Sequence, residues 1–187
     1  LVDYLAADKI QRDMLARGKA GAGQGALILA EFMPVCTIGR RGAAANLLVT
    51  RDFLDKKGIA VYNVDRGGDI TAHNPGQIVC YPVFDLSLLK RDLDWYLRRL
   101  EEAVIRLLDE YGIRGARKKG LSGVWAADKK IAFMGIAVSK WVTYHGVSLN
   151  INNDLSIFDY INPCGLNGCR ITSVSELIGG PVNALEL

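Results

Sequence analysis

The chain has 187 residues, half of them hydrophobic and 23% charged, with 23 Lys and Arg against 20 Asp and Glu for a net charge of +3. This is the composition of a folded globular protein; the charge is too small to argue for nucleic acid, and no apolar run approaches the ~18 residues of a membrane span. The four cysteines, at 36, 80, 164 and 169, include no C-x2-C pair, so no zinc pattern is present and no metal is expected.

The opening stretch LVDYLAADKIQ reads as an amphipathic helix rather than a signal peptide. Leu1, Leu5, Met14 and Leu15 keep helical spacing over 1–17, and Gly18 is a natural C′ residue to stop it. GKAGAGQG (18–25) has the composition of a flexible loop. Strands are expected at 26–32, 35–39, 59–64 and 77–84, all short and rich in Val, Ile and aromatics. Cys36 and Cys80 fall in these apolar stretches and read as buried, inert thiols. So few cysteines and no export signal imply a reduced, cytoplasmic setting.

Residues 92–111 carry the clearest helical pattern. Leu93, Leu97, Leu100, Val104, Leu107, Leu108 and Tyr111 form an apolar stripe that Gly112 ends. RGARKKG (114–120) then gathers Arg114, Arg117, Lys118 and Lys119, either as a solvated loop or as a docking site for an acidic partner. Three strands follow in GVWAA, KIAFMGIAVS and VTYHGVSLNIN, and SVSE (173–176) fits a capping box that begins a last helix. Helices and strands mixed without strict βαβ alternation indicate an α+β fold, in one domain spanning 1–187.

Three segments hold too many glycines and polar groups to be ordinary core. In VDRGGDITAHNPGQIVCYP (64–82), Arg66-Gly67-Gly68 lets backbone approach a ligand closely, or simply makes a tight strand connection. His73, beside the Asn74-Pro75-Gly76 turn, is either a site residue or a satisfied structural imidazole. Lys130 opens an apolar strand, where a lysine ordinarily snorkels to water. Cys164 in INPCGLNGC stands between Pro163 and Gly165, out of any regular ladder, where its thiol can reach a ligand.

Taken together, these segments resemble the lipoyl(octanoyl) transferase family (LipB), itself related to lipoate and biotin protein ligases. RGGDITAHNPGQ is similar to the family signature R-G-G-x-x-T-x-H-G-P-G-Q, with Asn74 where glycine is usual. PVCTIGRRG, GVW, KIAFMGIAVS, HGVSLNIN and NPCG follow the family order over nearly the whole chain. The resemblance implies mixed or antiparallel sheets flanked by helices, as in the ligase catalytic domains. It also implies that Cys164 is the acyl-thioester nucleophile and Lys130 its acid/base partner. Arg66, Gly67, Gly68, Asp69, Ile70, Thr71, Ala72 and His73 then line the substrate site, with Phe133, Met134, Gly135, Gly146, Val147 and Ser148. His145 neighbours the last of these, and Cys169 reads as packing. The bulky Phe133-Met134 pair, and Ser148 where alanine is common, bear on acyl-chain length.

The implied reaction carries an octanoyl or lipoyl group from acyl carrier protein to the target lysine of a lipoyl domain. The acceptors are the apo lipoyl domains of 2-oxoacid dehydrogenase complexes and the glycine cleavage H protein. No cofactor, nucleic acid or membrane takes part. An ATP-dependent ligase, an amidotransferase working between lipoyl-type domains and a non-catalytic acyl-binding module are the competing readings.

Overall fold

The computed structural model describes residues 1–21, 25–165 and 168–183, with the Cys164 side chain outside that description. Its helices are α1 (Tyr4–Lys19), α2 (Arg51–Lys56), α3 (Leu93–Glu110) and α4 (Val174–Ile178). Its strands are β1 (Ala26–Ala30), β2 (Val35–Ile38), β3 (Ala60–Asn63), β4 (Ile70–His73), β5 (Gln77–Val83), β6 (Val124–Ala126), β7 (Lys129–Ser139) and β8 (Val142–Asn150). Short 3-10 turns fill several connections. None of the described helices is long and apolar enough to cross a membrane.

Two sheets organise the molecule. The larger is antiparallel throughout, in the order β1-β5-β8-β7-β6. The smaller runs β3-β2-β4, with β2 parallel to β3 and antiparallel to β4. The α+β expectation with mixed and antiparallel sheets therefore holds. The apolar stripe of α3 buries Val104 and Leu108 against Val124, Ile131, Met134, Val147 and Leu149 of the larger sheet. A second core joins Ile38, Ile70 and Ala72 of the smaller sheet to Phe133, Ile157 and Phe158. Successive residues Phe133 and Met134 thus serve different cores, as the two-residue period of a strand requires.

α3 begins at Asp92, which accepts the Trp95 N–H, and ends before Gly112 in a left-handed conformation. α4 begins as expected at Ser173, whose hydroxyl accepts the Glu176 N–H. Only half of the capping box forms, because the Glu176 carboxylate turns to Lys129 and Thr172 instead. Two elements lacked a sequence expectation: α2, capped by Thr50, and β4, which lies inside the glycine-rich segment.

α1 departs from its expected register. Its buried face is Tyr4, Ala7, Gln11 and Leu15, while Leu1 and Leu5 face solvent. It also runs through Gly18, where an added Cβ would stand 2.9 Å from Val142 Cγ1. Glycine there lets the helix lie close on β8 rather than ending it.

Gln11 explains the register. At His145, β8 adopts a positive φ of 54°. The His145 backbone N–H donates to Gln11 Oε1 at 2.8 Å. Gln11→Leu should leave that buried donor without its partner and cost about 1–3 kcal/mol, read as a lower urea midpoint at unchanged slope. A wild-type midpoint would mean that the Gln11 contact contributes nothing net.

Candidate active site

A cavity of about 490 Å³ opens between the two sheets. Phe133, Met134 and Gly135 of β7 and Gly146, Val147 and Ser148 of β8 form one wall; Arg66, Gly68, Asp69, Ile70, Thr71 and His73 form another. Two of the residues expected on this surface lie elsewhere. The Gly67 N–H donates to Ile136 O at 2.8 Å, fastening the loop to β7, and Ala72 is fully buried in the core of the smaller sheet.

The glycine-rich loop is held by its own arginine. Arg66 is buried: Nη2 donates to Thr37 O at 2.7 Å, Nε and Nη2 reach Thr37 Oγ1, and Nη1 donates to Gly67 O. A planar fork of donors suits this several-point latch between loop and strand. Asp69 accepts from Asn46 Nδ2 at 2.5 Å and from the Ile70 N–H at 2.7 Å. Beside them, the buried hydroxyl oxygen of Thr71 has no hydrogen-bond partner among the described residues. A buried hydroxyl on a cavity wall is a natural contact for a ligand.

Lys130 does not snorkel outward. It is 1% exposed and lines the cavity, with Nζ donating to Ser122 O at 3.0 Å and standing 5.0 Å from the Trp125 ring and 4.9 Å from the Phe133 ring. Room for the side chain comes from Gly123. A Cβ at that position would lie 2.6 Å from Lys130 Cε and 2.7 Å from Ala132 O, and its φ of 132° suits glycine alone.

The Cys164 backbone sits in the 3-10 turn Pro163–Gly165; its thiol, the expected nucleophile, lies outside the described residues. The turn is anchored on both sides by main chain. Upstream, the Asn162 N–H donates to Asn46 O at 2.7 Å. Downstream, the Lys130 N–H donates to Arg170 O at 2.8 Å and the Thr172 N–H to Lys130 O at 3.0 Å. These last two bonds pair the strand of Lys130 directly with the segment that follows Cys164. Gly165 itself lines the cavity beside Asp69.

Both histidines are neutral near pH 7. Burial lowers His73 to about 4. Its Nδ1–H donates to Gln77 Oε1 at 2.6 Å, since the Gln77 amide nitrogen is committed to Ala72 O and Asn150 Oδ1. Burial also lowers His145, against the pull of Asp65. Gln11 Nε2 donates to its Nδ1, which leaves Nε2–H to donate to Asp65 at 2.9 Å. Burial would raise the Asp65 carboxyl, but hydrogen bonds from His145, Arg12 and Tyr144 hold it below the usual carboxylate range. Burial pushes Cys36 up to about 12 and Cys80 to about 11, as suits inert packing thiols.

Tyr4, Thr37, Asn46, Tyr81 and Ser122 are among further residues that line the site without having been expected there. Tyr4 and Ser122 carry no sequence signal, and Ser122 acts through its carbonyl. Among the described residues, no three His, Cys, Asp or Glu side chains cluster to hold a metal ion.

Residues 3–187 match the family described as the lipoyl protein ligase A/B catalytic domain. An octanoyltransferase from Solibacter usitatus (strain Ellin6076) is 46% identical over 176 residues, covering 94% of this chain and 80% of the relative. Among solved structures, lipoate-protein ligase A bound with ATP superposes with a TM-score of 0.75 at 18% identity, covering 94% of this chain and 74% of that one. The biotin protein ligase from Aquifex aeolicus in complex with biotin and ATP gives 0.51 at 18% identity, over 80% and 64% of the two chains. The fold expected from the sequence is the one found.

The neutral burial of His73 carries a pH dependence. Its pKa is about 4 in the folded chain and about 6.5 in the unfolded one, so between those values the unfolded state binds more protons and stability rises with pH. Acidification from pH 6.5 to 4.5 should therefore cost about 2–3 kcal/mol through this residue. Urea unfolding of wild type and His73→Gln at the two pH values checks it: the variant's stability should fall less.

Proposed function

The chain belongs to the octanoyltransferase group of the lipoyl protein ligase A/B catalytic-domain family, and we propose that it moves an octanoyl group from acyl carrier protein to a lipoyl-domain lysine through a thioester on Cys164. One observation carries the mechanism: a fully buried lysine lines the cavity, and its strand is hydrogen-bonded to the segment that follows the Pro163–Gly165 turn. We take 1–187 as one catalytic domain, acting in the cytoplasm without a cofactor.

The Cys164 thiolate attacks the carbonyl of the carrier's pantetheine thioester. The new S–C bond forms as the old one breaks, and the departing pantetheine sulfur takes a proton from Lys130. Thioester exchange keeps the acyl group activated, so no ATP is consumed. A free cysteine is only a few per cent ionised near neutral pH, and a nearby cation favours the thiolate. In the second step neutral Lys130 removes a proton from the incoming lysine, whose unperturbed pKa of about 10.4 makes it a poor nucleophile until then. The amine nitrogen bonds to the acyl carbon, the Cys164 thiolate leaves, and the amide product lies downhill. The cavity between the sheets receives the acyl tail, whose burial is worth about 0.8 kcal/mol per methylene.

The basic run serves docking through fewer residues than its composition suggests. Arg117 is committed to Glu101, Glu102 and the Arg98 carbonyl, and Lys118 stands over the Trp125 ring near Asp128. Arg114 and Lys119 remain exposed, and Lys119 adjoins the loop of Gly120 and Leu121 at the cavity. Arg41, exposed, lines the same cavity. Acidic substrate proteins would be steered by these charges.

Intact-mass measurement after mixing with octanoyl-acyl carrier protein, without ATP, should show an octanoyl adduct on Cys164 that moves to an added apo lipoyl domain. Cys164→Ala should abolish the adduct, and Lys130→Met should slow its formation by about 100-fold or more. Modification of the domain only when ATP and free octanoate are supplied would instead make the protein a ligase. Reversing Arg114 and Lys119 to Glu should raise KM for the carrier protein and leave a pantetheine-only thioester unaffected; equal effects on both would remove the docking assignment.

A further inference from the structure

α3 turns a carboxylate inward at a position that its apolar stripe passes over. Glu101 is fully buried, on the same face as Val104 and Leu108. Its Oε2 accepts from Arg98 Nη1 at 2.5 Å and from Arg117 Nε at 3.1 Å, and its Oε1 accepts the Gly123 N–H at 3.0 Å. That N–H and the Ser122 carbonyl belong to one peptide group, and the carbonyl accepts from Lys130 Nζ at 3.0 Å. A single amide thus stands between a carboxylate at its N–H end and the catalytic lysine at its C=O end.

We propose that Glu101 is a positioning residue for Lys130, acting through the Ser122–Gly123 peptide; this rests on the acyl-transfer reading above. In a trans peptide the N–H and C=O point in opposite directions, so fixing one end aims the other. Gly123 has no side chain of its own to settle the orientation of that peptide. Hydrogen bonds in series also polarise one another, so an amide whose N–H is held by an anion is a stronger acceptor at its oxygen. The arrangement therefore both aims Lys130 Nζ and strengthens the acceptor that holds it. Arg98 and Arg117 occupy the other carboxylate oxygen and make the buried anion tolerable, while their second faces reach solvent. A carboxylate that only anchored the loop would affect stability and leave the thiol chemistry untouched.

The test uses the full chain with octanoyl-acyl carrier protein and an apo lipoyl domain. Glu101→Gln should lower kcat about tenfold with both KM values unchanged. The pH profile of Cys164 alkylation, followed by mass mapping, should shift upward in the same direction as in Lys130→Met and by less. A folded Glu101→Gln protein with wild-type kcat and alkylation profile would overturn the proposal. Should that variant melt too early to assay, the wild-type fold still decides: the Gly123 amide proton resonance should move upfield in Lys130→Met, because the relay has lost its cation. A Gly123 resonance indifferent to Lys130→Met would equally overturn it. If wild type forms no acyl adduct, the acyl-transfer reading falls, while the Gly123 response still reports on the relay.

Discussion

Holding the Lys130 amine out of water is the demand to which much of this structure answers. A polar group so withdrawn is costly unless acceptors and polarisable groups surround it. Here a carbonyl stands at 3.0 Å and two aromatic rings at about 5 Å. Each of those provisions makes a demand of its own. The carbonyl belongs to a peptide that needs glycine at 123, that glycine's N–H needs a buried acceptor, and the acceptor needs two arginines. The apolar stripe of α3 is interrupted by a charge for a reason that begins at Lys130.

The gap between the sheets is the second constraint, and the glycine-rich loop holds it open. Arg66 ties the glycine-rich loop to β2, and Gly67 ties the same loop to β7. Between those attachments the sheets cannot collapse onto each other, and the space left is the cavity. Neutral histidines at its margin add hydrogen bonds without adding further charge.

Much of the architecture was legible because it follows from period. The alternation in β7 and β8 and the stripe of α3 identify those elements directly. β4 was not legible: Thr71 and His73 are polar because they face a cavity, and a strand with one polar and one buried face of four residues resembles a loop. The inward turn of Gln11 and Glu101 leaves no mark in the pattern either, since a polar side chain ordinarily faces water unless it has a buried partner. Those partners, His145 and Gly123, lie 134 and 22 residues away in the chain. The site divides along similar lines. Residues that act through side chains within a motif could be read, whereas Ser122 acts through its carbonyl, which is common to every residue type, and Asn46 reaches Asp69 from outside any motif.

The anchors of the Cys164 turn are made by backbone atoms at 46, 162, 170 and 172 together with Lys130. At exposed Arg170 only the carbonyl is used, so its side chain matters little to where the turn sits, whereas the Asn46 side chain also holds Asp69 and the buried Thr172 also holds Glu176. Proline is barred at 162 and 172, because each must supply an N–H. For protein engineering this marks out position 170 as substitutable beside the Cys164 turn. A library at Arg170 samples new surface chemistry beside that turn, while the main-chain bonds that hold it stay as they are.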